Sequence, residues 1–343
     1  MLRQRVEEGL EGQYKGLKNG LERINKFIFG IQKKCYTLLG GSSGTFKTSL
    51  VDYMLLNAMK DAEVKGVEFN VFYYSFEIDK VTKMCNWLSS HIYQKYKVSI
   101  PPETIKGLGE NRLTAYEKEL VDREIPYIEG LFAKINFTFS SVNPTGIYKT
   151  LWETGLSSGK LIYEKRDNEE VARIVGYKPN NPEAYNLVIV DHIYLLHKER
   201  GFETKEVIDK FSEYCVSLRN IFGFSFILIQ QFNDGLSAVD RQKFKGVDLS
   251  PQYTDFKDSR NPYQDADVVL GTMCPYKLDL NSSLGYDITK LKDKMIMLKV
   301  IKNRLSRDNI AIGLYVEPKA GLFEELPHPE EFNKNPTLYE QYK

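Results

Sequence analysis

The stretch YTLLGGSSGTFKTSLVDYMLLNAMKDA, residues 36–62, decides the fold. Its first six residues read as a short buried strand, and residues 48–62 as a helix with one apolar face. Between them runs GGSSGTFKTSL, residues 40–50, small residues closed by a lysine and a threonine. Small residues let successive backbone N–H groups turn inward around phosphate oxygens, and the helix N-terminus adds a positive dipole end. Against the pattern G-x-x-x-x-G-K-[ST], the run supplies Gly41, Lys47 and Thr48, while Phe46 stands where the second glycine would be. Gly44 and the Gly40–Gly41 pair must then carry the tight backbone. The expected nucleotide-binding residues are Gly41, Ser42, Ser43, Gly44, Thr45, Phe46, Lys47, Thr48 and Ser49. Lys47 would reach the β- and γ-phosphates, and the Thr48 hydroxyl would hold Mg2+.

Outward from this loop, strands and helices alternate. VEFNVFYYS (67–75) reads as a strand and 76–96 as a helix; 112–132 is helical and KINFTFSS (134–141) strand-like. Residues 143–156 read as a helix capped by Asn143, then LVIVDHIYLL (187–196) as a buried strand, 205–223 as a helix and FSFILIQQF (224–232) as a further buried strand. Near-continuous apolar strands separated by helices imply a parallel sheet covered on both faces. After DVVLGTM, the segments MIMLKVIKNR, IAIGLYVEP and GLFEEL follow one another through turns, which predicts antiparallel strands closing the C-terminal edge. The fold class is α/β. One domain is expected over 31–326, with an N-terminal arm over 1–30 and a C-terminal tail over 327–343. The arm lies either on its own domain or on a neighbouring subunit. Residues 157–186, with a possible hairpin, and 233–263 are loops or insertions.

Composition narrows the function. Lys+Arg number 47 against 46 Asp+Glu in 343 residues, so a polyanion would have to bind through a local patch or a ring of copies. Cys35, Cys85, Cys215 and Cys274 lie far apart with no CxxC, which argues against structural zinc and for a reduced, cytoplasmic compartment. The charged start MLRQRVEEGLEG is unlike a signal peptide, and no apolar run nears the ~20 residues of a spanning helix, so no membrane partner is expected.

Three strand ends carry candidate chemistry. Asp191 closes an apolar strand, where an unpaired carboxylate is costly unless it serves an ion, so it is a candidate Mg2+ ligand beside Thr48. Glu77 follows the strand ending at Ser75, at the edge where ligands bind in such sheets, and could polarise an attacking water. Gln230 and Gln231 end a third strand, where an amide can sense a γ-phosphate.

In order, these motifs resemble those of the DnaB-like replicative helicases, hexameric RecA-type ATPases of bacteria and their phages. GGSSGTFKTS is similar to their Walker A, YYSFE to the segment bearing their catalytic glutamate, LVIVDHIYLL to their Walker B strand and ILIQQFN to their glutamine-ended strand. DSRNPYQDADVVL (258–270) is similar to their Arg-containing DNA-binding loop, and KVIKNRLSRDN (299–309) to their K-x-R segment. The resemblance spans roughly residues 20–326. It implies a RecA-like P-loop ATPase that uses ATP and Mg2+, with Lys47, Thr48, Glu77, Asp191 and Gln231 in one site. It also implies that Lys302 and Arg304 reach the neighbouring subunit's site, where an Arg fork steadies the transferring phosphoryl group. Arg260 and Asn261, with Lys245 and Lys257 on the same loop beside Arg241 and Lys243, would bind single-stranded DNA in a ring's channel. Residues 1–30 are expected to hold only an arm, without a counterpart of the separate helical N-terminal domain of the bacterial enzymes. The implied function is ATP-dependent translocation on single-stranded DNA as a hexameric ring in phage-type replication, with primase or a helicase loader as partners. A RecA-like filament recombinase and a nucleotide-gated assembly protein are the alternatives.

Overall fold

The computed structural model describes residues 6–7, 16–164, 172–233, 249–256, 260–317 and 321–342. Nine strands form one sheet: β1 (Tyr36–Gly41), β2 (Phe69–Ser75), β3 (Ile135–Thr138), β6 (Tyr185–Asp191), β7 (Ser225–Gln231), β8 (Val268–Met273), β11 (Met295–Asn303), β12 (Ile310–Glu317) and β13 (Leu322–Glu325). Their order is β13-β12-β11-β8-β1-β7-β6-β2-β3. The six from β8 to β3 run parallel, and β11, β12 and β13 close the other side antiparallel. Two small ribbons stand outside this sheet, β4 (Gly159–Glu164) with β5 (Arg173–Pro179) and β9 (Ser282–Ser283) with β10 (Tyr286–Asp287). The parallel α/β core and its antiparallel C-terminal edge are as the sequence pattern implies.

Both sheet faces are covered, so the central strands lack a polar face. Leu39, Tyr73, Ile189, Ile227 and Leu270 point to one face, while Leu38, Tyr74, Val188, Leu228 and Val269 point to the other. The first face carries α1 (Glu22–Ile28), α2 (Lys47–Lys65), α3 (Lys80–Tyr96) and α4 (Ala115–Ala133). The second carries α5 (Pro144–Ser157) and α6 (Thr204–Phe222). Leu17, Leu21, Ile24 and Ile28 are buried in the first core, so residues 16–30 pack on their own domain. The last residues form a satellite cluster in which Phe332, Tyr339 and Tyr342 surround Tyr286 and Leu326.

Some boundaries differ from the sequence expectation. The helix after β2 begins at Lys80, not at Phe76, because Asp79 is its cap and accepts from the Thr82 amide at 3.0 Å. Residues 76–79 are thereby left outside the helix, as a bend after the strand. The strand expected over 187–196 ends at Asp191, and a short 3-10 turn takes Ile193–Leu195. Asn143 caps α5 as expected, accepting from Gly146 N at 2.7 Å.

A buried ionic knot ties α2, β2 and α3 together. Lys83 is 0% exposed and donates to both carboxylate oxygens of Asp52 at 2.9 Å. Tyr73 and Trp87 also donate to Asp52, each at 2.8 Å. Asp52 lies one helical turn after Thr48, so the knot clamps the first turns of α2 to the strand and helix that flank Glu77. Asp52→Ala strands a buried ammonium and should cost about 3–5 kcal/mol. Lys83→Met leaves the carboxylate two neutral donors and should cost less. Urea unfolding of both variants measures this, and the reverse order would contradict the clamp.

Candidate nucleotide site

The carboxyl edge of the parallel strands gathers the groups singled out above. Gly41 of β1 pairs with Gln231 of β7, and Ser75 of β2 with Asp191 of β6, so four strand ends share one edge, the second pair two residues short of the first in register. The Phe76 amide donates to Asp191 O at 2.8 Å, which carries Glu77 alongside the Asp191–His192 step. Gln231 lies on the sheet face that carries α2, with Ile227 and Ile229, whereas Gln230 lies on the opposite face. There Gln230 donates from Nε2 to the Tyr194 hydroxyl at 3.3 Å.

The loop between β1 and α2 is tight for definite reasons. A Cβ on Gly41 would lie 2.2 Å from Thr272 Oγ1, and one on Gly40 would lie 2.2 Å from the Phe232 ring and 2.5 Å from that of Phe256. Thr45 donates to Ser42 O at 2.9 Å and meets Thr272 Oγ1 at the same distance, which binds the loop to β8. Phe46, at the expected glycine position, adopts φ +58° and ψ +28°, in the left-handed region, as the residue before α2. This backbone costs a bulky residue about 1–2 kcal/mol. The Phe46 ring packs against the core on the α2 side, which offsets part of that cost. Lys47 Nζ donates to Ser42 O at 2.7 Å, which holds the ammonium over the loop.

Asp191 is fully buried, and among the described residues neither carboxylate oxygen completes a hydrogen bond. Burial raises its pKa from an ordinary 3.8 to about 6, against the Lys83 charge and the Thr48 hydroxyl, which lower it. An enclosed carboxylate facing a hydroxyl at the mouth of an anion-binding loop suits Mg2+. That ion commonly takes one or two protein oxygens and completes its shell with phosphate and water. Thr48 and Asp191 would hold it, and it would neutralise phosphate charge there. Among the described residues no group of three or more His, Cys, Asp or Glu could hold a metal ion.

Two neighbours escaped the sequence reading. His192, directly after Asp191, has its side chain 14% exposed, with Nε2 3.9 Å from Glu77 Oε2. Burial lowers its pKa, so the ring is neutral at pH 7. Lys277 donates to Gly44 O at 3.0 Å, adding a second ammonium at the loop. It lies far along the chain in a turn after β8 and forms part of no motif.

Lys302 and Arg304 stand elsewhere. Val269 of β8 pairs with Lys302, and the Arg304 amide donates to Asp267 O, whose own amide donates to Tyr36 O. They therefore lie level with the start of β1, at the amino edge of the parallel strands. The length of β1 and two strand spacings separate them from the phosphate loop of the same chain, about 20 Å. Lys302 donates to Tyr263 O at 2.8 Å and Gln264 O at 2.7 Å, and Arg304 donates to Gln264 O at 2.8 Å. Burial and the Arg304 charge lower the Lys302 pKa to about 8. The acids of QDAD have structural work. Asp265 accepts from Ser212 at 2.7 Å, and Asp267 accepts from Arg219 at 2.7 Å and the Tyr36 amide at 2.9 Å. Arg260 lies over the Tyr253 ring at 5.6 Å, and Asn261 opens the short helix α7 (Asn261–Asp265). Lys245, Lys257, Arg241 and Lys243 lie outside the described residues.

No family model matches the chain, and no curated protein matches it in sequence. Solved structures match it in fold. One described as the ATPase domain of G40P superposes with a TM-score of 0.65, covering 94% of this chain and 96% of that one at 16% identity. A DnaB-like replicative helicase, solved with its interactions with primase, gives 0.66 over 94% of this chain and 67% of that one at 15% identity. The chain shares the fold of these structures. The RecA-like core with its antiparallel edge is thus shared with these structures, and no described helix is long and apolar enough to cross a membrane.

The raised pKa of Asp191 gives a prediction with a definite sign. Bound metal and a proton compete for its carboxylate, so stabilisation by Mg2+ and ATP should be small at pH 5 and grow through pH 6 toward 7. Without ligand the trend reverses. The folded chain keeps a proton that the unfolded chain releases above about pH 4, so this group's contribution to stability falls as pH rises from about 4 to about 6. Thermal unfolding with and without Mg2+ and ATP tests both, and a ligand shift independent of pH would contradict the assignment.

Proposed function

We propose that this chain hydrolyses ATP with Mg2+ and uses the cycle to move along single-stranded DNA as a ring, in the manner of a DnaB-like replicative helicase. The observation that carries this reading is the placement of the candidate nucleotide residues and of two cations on opposite sheet edges. The phosphate loop, Asp191, Glu77 and Gln231 share one edge, while Lys302 and Arg304 lie at the other. A site so divided is completed by a second copy, and in this reading repetition of that head-to-tail contact closes into a ring.

In this reading the loop amides and Lys47 bind the β- and γ-phosphates, and Thr48 and Asp191 hold the metal. Glu77 takes a proton from water as the water oxygen attacks the γ-phosphorus. The bond to the β–γ bridging oxygen breaks, and its electron pair leaves with ADP. Gln231, beside Gly41, senses the γ-phosphate, and Arg304 with Lys302 of a neighbouring copy steadies the charge on the transferring group. Arg260 and Asn261, with Lys245 and Lys257, belong to the segment that follows the sensor strand and grip the DNA backbone. Phage-type replication, a cytoplasmic setting, and primase or a loader as partners belong to the same proposal. It draws support from the fold shared with the DnaB-like helicase solved with its interactions with primase.

The test is complementation. Lys47→Ala and Arg304→Ala should each hydrolyse ATP poorly and fail to separate a forked duplex. Mixed, they should regain part of the ATPase, because some interfaces join an intact loop to an intact arginine. Failure to regain activity at every ratio would contradict a shared site.

A further inference from the structure

We propose that His192 is a positioning residue whose imidazole N–H holds the Glu77 carboxylate in line with the attacking water. This deepens the ATP-hydrolysis reading above and rests on it.

Glu77 needs such a restraint. It lies in the bend between β2 and α3, and its side chain is 56% exposed. A carboxylate on so open a side chain samples several rotamers, and only some would face a water beside the γ-phosphate. The His192 ring is the fixed neighbour. It follows the last residue of β6, packs edge-on to Tyr194 with ring centroids 6.2 Å apart, and is mostly enclosed. Tyr194 in turn accepts from Gln230 of β7, so the ring rests on a layer tied to the sheet. Nε2 stands 3.9 Å from Glu77 Oε2, about 1 Å beyond a hydrogen bond, a gap that a small rotation of Glu77 closes. Among the described residues His192 Nδ1 is buried without a partner. Nε2 is therefore the ring nitrogen with a polar neighbour, and that neighbour is Glu77.

The role asks only for a donor at the depth of Nε2, with no change of protonation. Gln carries an amide N–H at similar reach and cannot titrate; Met has similar bulk and no donor. With the full chain, His192→Met should lower the turnover of ATP about tenfold or more, since misplacing a reacting group by 1 Å can cost up to about a hundredfold. KM and the affinity for a non-hydrolysable ATP analogue should stay unchanged. His192→Gln should restore most of the turnover. In a Glu77→Gln background, His192→Met should add no further loss. Should His192→Met fail to accumulate as folded protein, His192→Phe supplies the donor-free comparison with a planar ring.

Three results would overturn the proposal: wild-type turnover in both donor-free variants, equal loss in the Met and Gln variants, or a full extra loss in the Glu77→Gln background. A wild-type chain that does not hydrolyse ATP would overturn the reading beneath it as well, which separates the two failures.

Discussion

A carboxylate enclosed at the end of a buried strand is the interaction on which this site turns. Asp191 ends a strand whose neighbours are apolar, and ionising it there is unfavourable enough to raise its pKa to about 6. A cation and phosphate arriving beside it would return that cost, and the geometry around it fits that exchange. The strand end lies level with Ser75, the Phe76 amide binds its carbonyl, and the Asp52–Lys83 knot clamps the helix that carries Thr48. Asp191 is itself enclosed. Glu77 is the exposed exception, and His192 is the enclosed group next to it.

The same sheet that builds the site also divides it. A parallel strand has one edge for the phosphate loop and another, the strand's length away, for whatever precedes it. The antiparallel β11 runs back to that second edge and delivers Lys302 and Arg304 there. Their contacts with Gln264 O, together with the anchoring of Asp267 to β1, hold the two cations in place on a side of the molecule where their own nucleotide site cannot use them. A second copy is thus a requirement of the topology if these residues act on ATP.

Much of this was legible from residue order. The apolar runs ending in Gly41, Ser75, Asp191 and Gln231 name the strands and the edge that their polar ends share, because a polar residue in a buried parallel strand is least costly at a terminus. The antiparallel edge was legible from turns without helices. The boundary at Asp79 was not, since Phe76–Asp79 has helix-compatible composition and only the cap fixes the start. His192 was passed over for a different reason. It reads as one more residue of an apolar run, and its closeness to Glu77 depends on β2–β6 register that no local pattern encodes. Lys277 meets Gly44 across more than two hundred residues of chain, with no motif to announce it. Phe46 looked like a defect in the loop, yet its left-handed backbone supplies the turn that glycine would, with the ring anchored on the core.

The most direct measurement is a single-turnover assay in which wild type and Glu77→Gln are loaded to equal occupancy with ATP and Mg2+, and bound ADP is followed with time. Equal binding with conversion slowed by roughly a hundredfold or more in the variant is the result expected of a carboxylate that accepts the water proton. Conversion at the wild-type rate would remove Glu77 from the chemistry and contradict the site described here.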